Sequence, residues 1–126
     1  MLSQISLEIG RRFFGSGRVI PDLAPVGGMK NGRLPIFLTF DDGPDENLTP
    51  VLLEQLDMIG ASATFFMIGE KVAAKKALVR SVRDAGHAVG SHSWSHPSIK
   101  QVSTRDWLQD MRRGRKVIEE TLGEEC

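Results

Sequence analysis

The chain has 126 residues, with 16 Lys plus Arg against 16 Asp plus Glu, 40% apolar and 25% charged residues. That length fits one domain of about 100 to 200 residues, the zero formal charge leaves no basic excess for nucleic acid or anionic lipid, and the ordinary composition excludes a disordered chain. The longest uninterrupted apolar run is Phe65 to Ile68, against about 20 residues needed to cross a bilayer, so no transmembrane segment is expected.

The N-terminus, MLSQISLEIGRRFFG, has no continuous apolar stretch and no small-residue cleavage site, so no signal peptide is expected. Its single Cys, Cys126, cannot form an internal disulfide. Both features point to the cytoplasm. Nine of the 13 glycines and six prolines fall within residues 1–35, which read as a loop-rich lead-in. Leu2, Ile5, Ile9 and Phe13 recur there at helical spacing, a stripe more commonly used to pack on the parent domain than to dock a membrane or partner.

From residue 36 the pattern becomes regular. Ile36 to Phe40 (IFLTF) predicts a strand that stops at the turn Asp41-Asp42-Gly43-Pro44. A helix follows, with Thr49 as cap, Pro50 at its first position, a Leu48–Leu53 staple, an inward stripe of Leu52, Leu56 and Ile59, and Gly60 closing it. Ala63 to Met67 predicts a second strand. Gly69 precedes a second helix whose inward residues are Val72, Leu78, Val79 and Val82, ended by Gly86. His87 to Ser91 is a short third strand. A third helix runs from about Ser103 or Thr104 to Leu122, with Trp107, Met111, Ile118 and Leu122 on one face and Gly123 after it. Eleven of the last 23 residues are charged and read as its solvated side.

Strand–helix alternation specifies a parallel α/β sheet, and such folds place chemistry at the carboxyl ends of their strands. Asp41-Asp42 and His92 lie at such ends. Two adjacent carboxylates there are tolerable if a cation sits between them or both reach water; taken alone, FDDGP reads first as a turn and second as a catalytic element. His92 and His96, four apart, share a side if they occupy one helical turn, the arrangement that zinc accepts, although surface His pairs at this spacing are frequent. Because both elements follow the ends of different strands, an Asp and two His can converge. His87 opens the third strand, about 13 to 16 Å from its far end, and reads as a structural histidine.

Thr39-Phe40-Asp41-Asp42-Gly43-Pro44, Ala63-Thr64-Phe65-Phe66, Gly86-His87 and Ser91-His92-Ser93-Trp94-Ser95-His96-Pro97 together resemble the polysaccharide deacetylases of carbohydrate esterase family 4, the NodB homology domain. The resemblance covers Ile36 to roughly Leu122, so residues 36–126 are expected to be the N-terminal portion of such a domain. It implies a distorted (β/α) barrel and metal-dependent removal of acetyl groups from N-acetylglucosamine-type glycans. Carried over by position, Asp41 resembles the catalytic base, and Asp42, His92 and His96 resemble the metal ligands. Two His and a carboxylate suit zinc, cobalt or iron, with zinc the default by availability.

The family also carries later Arg-containing, Asp-Trp and Leu-x-His segments and further strands that these 126 residues lack. About half a barrel is therefore expected, with open edges prone to self-association. An N-acetylated glycan substrate and completion of the site by a further portion or a partner chain follow from this reading. The competing expectation is a remnant that binds a metal, a glycan or a partner without catalysis.

Overall fold

The computed structural model describes residues 36–125; the residue 1–35 lead-in, with the stripe at Leu2, Ile5, Ile9 and Phe13, and Cys126 lie outside the described residues. Three strands, β1 (Thr39–Gly43), β2 (Thr64–Met67) and β3 (Ala88–Ser91), form one parallel sheet in the order β1-β2-β3. Four helices follow the strands: α1 (Leu48–Met58), α2 (Gly69–Ala74), α3 (Lys76–Asp84) and α4 (Thr104–Leu122). Among the described residues no helix is long and apolar enough to cross a membrane.

The first strand differs from its sequence expectation. It starts at Thr39 and continues through Asp41 and Asp42 to Gly43, while Ile36 and Phe37 precede it and are exposed. The cause is the pairing with β2, in which Thr39 faces Thr64, Phe40 faces Phe65 and Gly43 faces Met67, with a register shift between Phe40 and Gly43. The acidic pair occupies that irregularity, where both carboxylates stay exposed, so the strand can carry them without burying charge. β2 is central, and its Phe65 and Met67 are buried on one face.

Helix α1 starts at Leu48, one residue before the expected cap. The Asp45 carboxylate accepts from Asn47 N and Leu48 N, both at 2.9 Å, and so takes the capping role expected of Thr49. These two amides hold the Asp45 carboxyl below the usual carboxylate range. Thr49 is instead buried and accepts from Asp45 N at 2.9 Å. Leu56 is in the core and Leu52 and Leu53 pack against it. Ile59, expected inside, is exposed, and so is Leu48, expected to staple against Leu53.

The single helix expected between Gly69 and Gly86 is two. Lys75, at φ −132° and ψ 41°, leaves the helical region and donates its N–H to Val72 O, ending α2 before α3 begins. Val72, Val79 and Val82 all reach the core nonetheless. Helix α4 begins with Ser103 Oγ accepting from Asp106 N at 3.1 Å and ends at Gly123, whose φ of 74° suits a residue without Cβ. It buries Gly114, Val117, Ile118 and Thr121; of the expected face, Ile118 is fully inside and Trp107, Met111 and Leu122 are half-buried. Arg80 Nε donates to Thr121 O at 3.1 Å and Arg83 pairs with Glu124, so α3 holds the far end of α4.

Candidate metal centre

The carboxyl ends of β1 and β3 lie on either side of the end of β2. From β1, the Asp42 carboxylate comes within 3.5 Å of His92 Nε2 and 3.8 Å of His96 Nε2. The two imidazoles stack with centroids 4.8 Å apart and planes at 27°, and one donor atom from each of the three residues lies within 4.8 Å of the others. Donors bound to a tetrahedral divalent ion at about 2.0 to 2.2 Å sit about 3.3 to 3.6 Å from one another, so the spacing fits after a small closure. The donor set, one carboxylate and two imidazoles, fits a borderline metal such as zinc. The side chains of Asp42, His92 and His96 are 61%, 32% and 57% exposed, so water reaches the point on which they converge.

Both sides of the site depart from ideal strand or helix geometry. Asp42 has φ 65°, inside the β1 irregularity; its carbonyl accepts from Lys71 Nζ at 2.7 Å, and the neighbouring Gly43 carbonyl accepts from Ile68 N at 2.8 Å. Asp41, also exposed, is the adjacent residue of the same irregularity. On the other side, His92 N donates to Met67 O at 2.9 Å, extending the β3 ladder by one residue. His92 to His96 do not occupy a helical turn. The segment is a loop in which Ser93 and His96 have φ of 65° and 53°, and it is this pair of left-handed residues that turns the second imidazole towards the first. Such conformations cost L residues about 1 to 2 kcal/mol each, so the loop must be held by its surroundings.

The surroundings are specific. Gly69 N donates to Ser93 O at 2.9 Å and Glu70 N to Trp94 O at 3.0 Å, tying the loop to the start of α2. His96 N donates to Ser93 Oγ at 2.9 Å. From α4, Asp110 accepts from Trp94 N at 2.7 Å, from Ser95 N at 3.1 Å and from Ser95 Oγ at 2.7 Å. Burial acts to raise the pKa of Asp110, but the bonds from the Ser95 hydroxyl, the Ser95 and Trp94 amides and the Ser93 hydroxyl outweigh it and hold the carboxyl below the usual range. The Arg113 guanidinium lies 3.6 Å over the Trp94 ring.

Reading the charges of α4 as a solvated face missed Asp110. A signal was present: Asp110, Gly114, Val117 and Thr121 recur at helical spacing, which puts a carboxylate on the buried stripe. His87 lies at the opposite end of β3 and is 4% exposed; its Nδ1 accepts from Ala63 N at 3.4 Å and its ring centroid is 5.5 Å from that of Phe65.

The family model for polysaccharide deacetylases matches residues 29–126. The chain belongs to the polysaccharide deacetylase family. A peptidoglycan-N-acetylglucosamine deacetylase, PgdA, of Listeria monocytogenes is 34% identical over 122 residues, which cover 97% of this chain and 25% of that protein. The solved peptidoglycan deacetylase PdaC from Bacillus subtilis superposes with a TM-score of 0.67 at 34% identity, over 71% of this chain and 44% of the other. A family 4 acetyl xylan esterase from Clostridium thermocellum, solved in complex with a cobalt ion, gives a TM-score of 0.63 at 35% identity over 71% of this chain and 44% of that one. This deacetylase-family chain thus spans from a quarter to less than half the length of these relatives, and the α/β architecture with a parallel sheet is theirs.

Proposed function

We propose that this chain carries the metal-binding part of a deacetylase that hydrolyses acetamide or acetyl ester groups on N-acetylglucosamine-type glycans. Asp42, His92 and His96 hold one divalent ion, zinc by default, with cobalt or iron accepted by the same donors. Such an ion supplies Lewis acidity, which polarises an acyl carbonyl and lowers the pKa of water. Asp41, next to the ligand and open to solvent, acts as general base: its carboxylate takes a proton from the attacking water as the water oxygen bonds to the acyl carbon. The carbon–nitrogen bond then breaks, giving acetate and an amine that takes up a proton. The exposure of the donors leaves room for a sugar at the rim. The Listeria and Bacillus relatives, named for peptidoglycan substrates, favour an amino-sugar polymer.

The observation that carries this reading is the meeting of three ligand atoms, from the end of β1 and from the loop after β3, within 4.8 Å. Calorimetric titration with zinc tests it. One ion per chain is expected, with affinity reduced at least about a hundredfold in His92→Ala, since one of three protein ligands is lost. Equal affinity in the two proteins would refute the site.

A further inference from the structure

The loop that presents both imidazoles contains two residues, Ser93 and His96, in a conformation that L side chains rarely adopt. Its own hydrogen bond, His96 N to Ser93 Oγ, closes one turn of it. The amides of Trp94 and Ser95, midway between the two histidines, both donate to Asp110 of α4. The second oxygen of the same carboxylate accepts from Ser95 Oγ at 2.7 Å. One turn further along α4, the absence of a Cβ at Gly114 lets the helix backbone approach the Ser93 carbonyl. The helix is therefore seated behind the loop, with a carboxylate aimed at its centre.

We infer that Asp110 is a positioning residue for the metal centre, gripping the loop between His92 and His96 so that both imidazoles face Asp42. The inference rests on the metal-centre reading, and Asp110 itself bonds to none of the three ligand side chains. A carboxylate suits the task because its two oxygens accept several donors at once, whereas an amide offers one accepting oxygen and turns its own N–H groups towards donors.

Two measurements on the full 126-residue chain test it: zinc affinity by competition with a chromogenic chelator, and backbone amide exchange of Trp94 and Ser95 without metal. Asp110→Ala should weaken zinc binding about ten- to hundredfold, the usual effect of losing a group that orients metal ligands, and Asp110→Asn should weaken it less. Both variants should exchange the Trp94 and Ser95 amides at least about tenfold faster than the parent. Arg83→Ala, which removes the pair with Glu124 at the far end of α4, should leave affinity and both amides unchanged. Parental affinity together with parental amide protection in Asp110→Ala would overturn the inference. So would an equal loss of zinc binding in Arg83→Ala, since the effect would then be general loosening of the helix. If Asp110→Ala does not fold, Asp110→Asn takes its place, and parental affinity with parental amide protection in that variant overturns the inference in the same way. If the parent binds no zinc, the metal-centre reading fails by itself and the amides decide: protection lost in Asp110→Asn upholds the grip on the loop, and protection kept refutes it.

Discussion

Gly114 in α4 faces the Ser93 carbonyl so closely that a Cβ placed on it would lie 2.3 Å from both the carbon and the oxygen. Glycine inside a helix costs about 1 kcal/mol relative to alanine, so Gly114→Ala tests which effect is larger. Overpacking a rigid backbone contact costs about 1 to 3 kcal/mol, and the obstacle here is main chain that cannot rotate away. Gly114→Ala should therefore lower stability in urea unfolding, and zinc affinity should fall with it, because the displaced atoms belong to the histidine loop. An increase in stability would mean that the loop yields freely.

The depressed pKa of Asp110 has a defined sign in acid. Its stabilising effect is fully present above the unfolded-state value, about 3.9 for an aspartate, and is lost as pH falls through the lower folded-state value. Asp110→Asn should thus be less stable than the parent at pH 7, and the gap between their thermal midpoints should narrow below about pH 4. A gap that stays constant from pH 7 to the acid limit would show that the carboxylate charge plays no part.

His87 and His92 should separate stability from metal binding. His87 is buried against Phe65 and accepts from Ala63 N, so His87→Ala leaves a cavity and an unpaired amide, costing about 2 to 4 kcal/mol. Measured where the variant is still folded, its zinc affinity should match the parent. His92→Ala should show the reverse pattern, near-parental thermal stability without metal and lost zinc binding.

Asp41→Asn should keep the one-to-one zinc stoichiometry while lowering acetate release from N-acetylglucosamine oligomers by about 10²- to 10⁴-fold in any preparation that releases acetate, the usual share of a general base. Equal rates would move the proton-accepting role to another group.

The alternation of strands and helices was legible because apolar period and punctuation agree along the chain: Phe65 and Met67 alternate in β2, and Gly123 follows the last periodic residue of α4. The break at Lys75 was not, since Val72 and Val79 lie seven residues apart on one continuous stripe that a single helix would satisfy equally well. The end of β1 was misplaced for a related reason. Asp41 and Asp42 look like turn residues, and only the irregular pairing opposite β2 lets a strand contain them. Within the site, the residue types of the candidate ligands were visible, but the His92–His96 geometry depends on left-handed backbone at Ser93 and His96. That conformation is held from α2 and α4, which no local pattern in the loop records.

β1 and β3 are not hydrogen-bonded to each other; β2 separates them, a gap of about 10 Å at the usual strand spacing. Asp42 and the two histidines nevertheless meet above the end of β2, so in the proposed centre an ion joins the outer strands directly. Occupancy then acts as a tie across the sheet: it resists the parting or sliding of β1 against β3 and leaves β2 under it. Bound metal would add stability of RT ln(1 + [metal]/Kd), about 2.7 kcal/mol at a hundredfold excess over Kd, and a chelator would withdraw that increment without touching the core. Protection against hydrogen exchange should accordingly rise most in β1 and in the residues after β3, the two segments that the main-chain ladder does not join to each other.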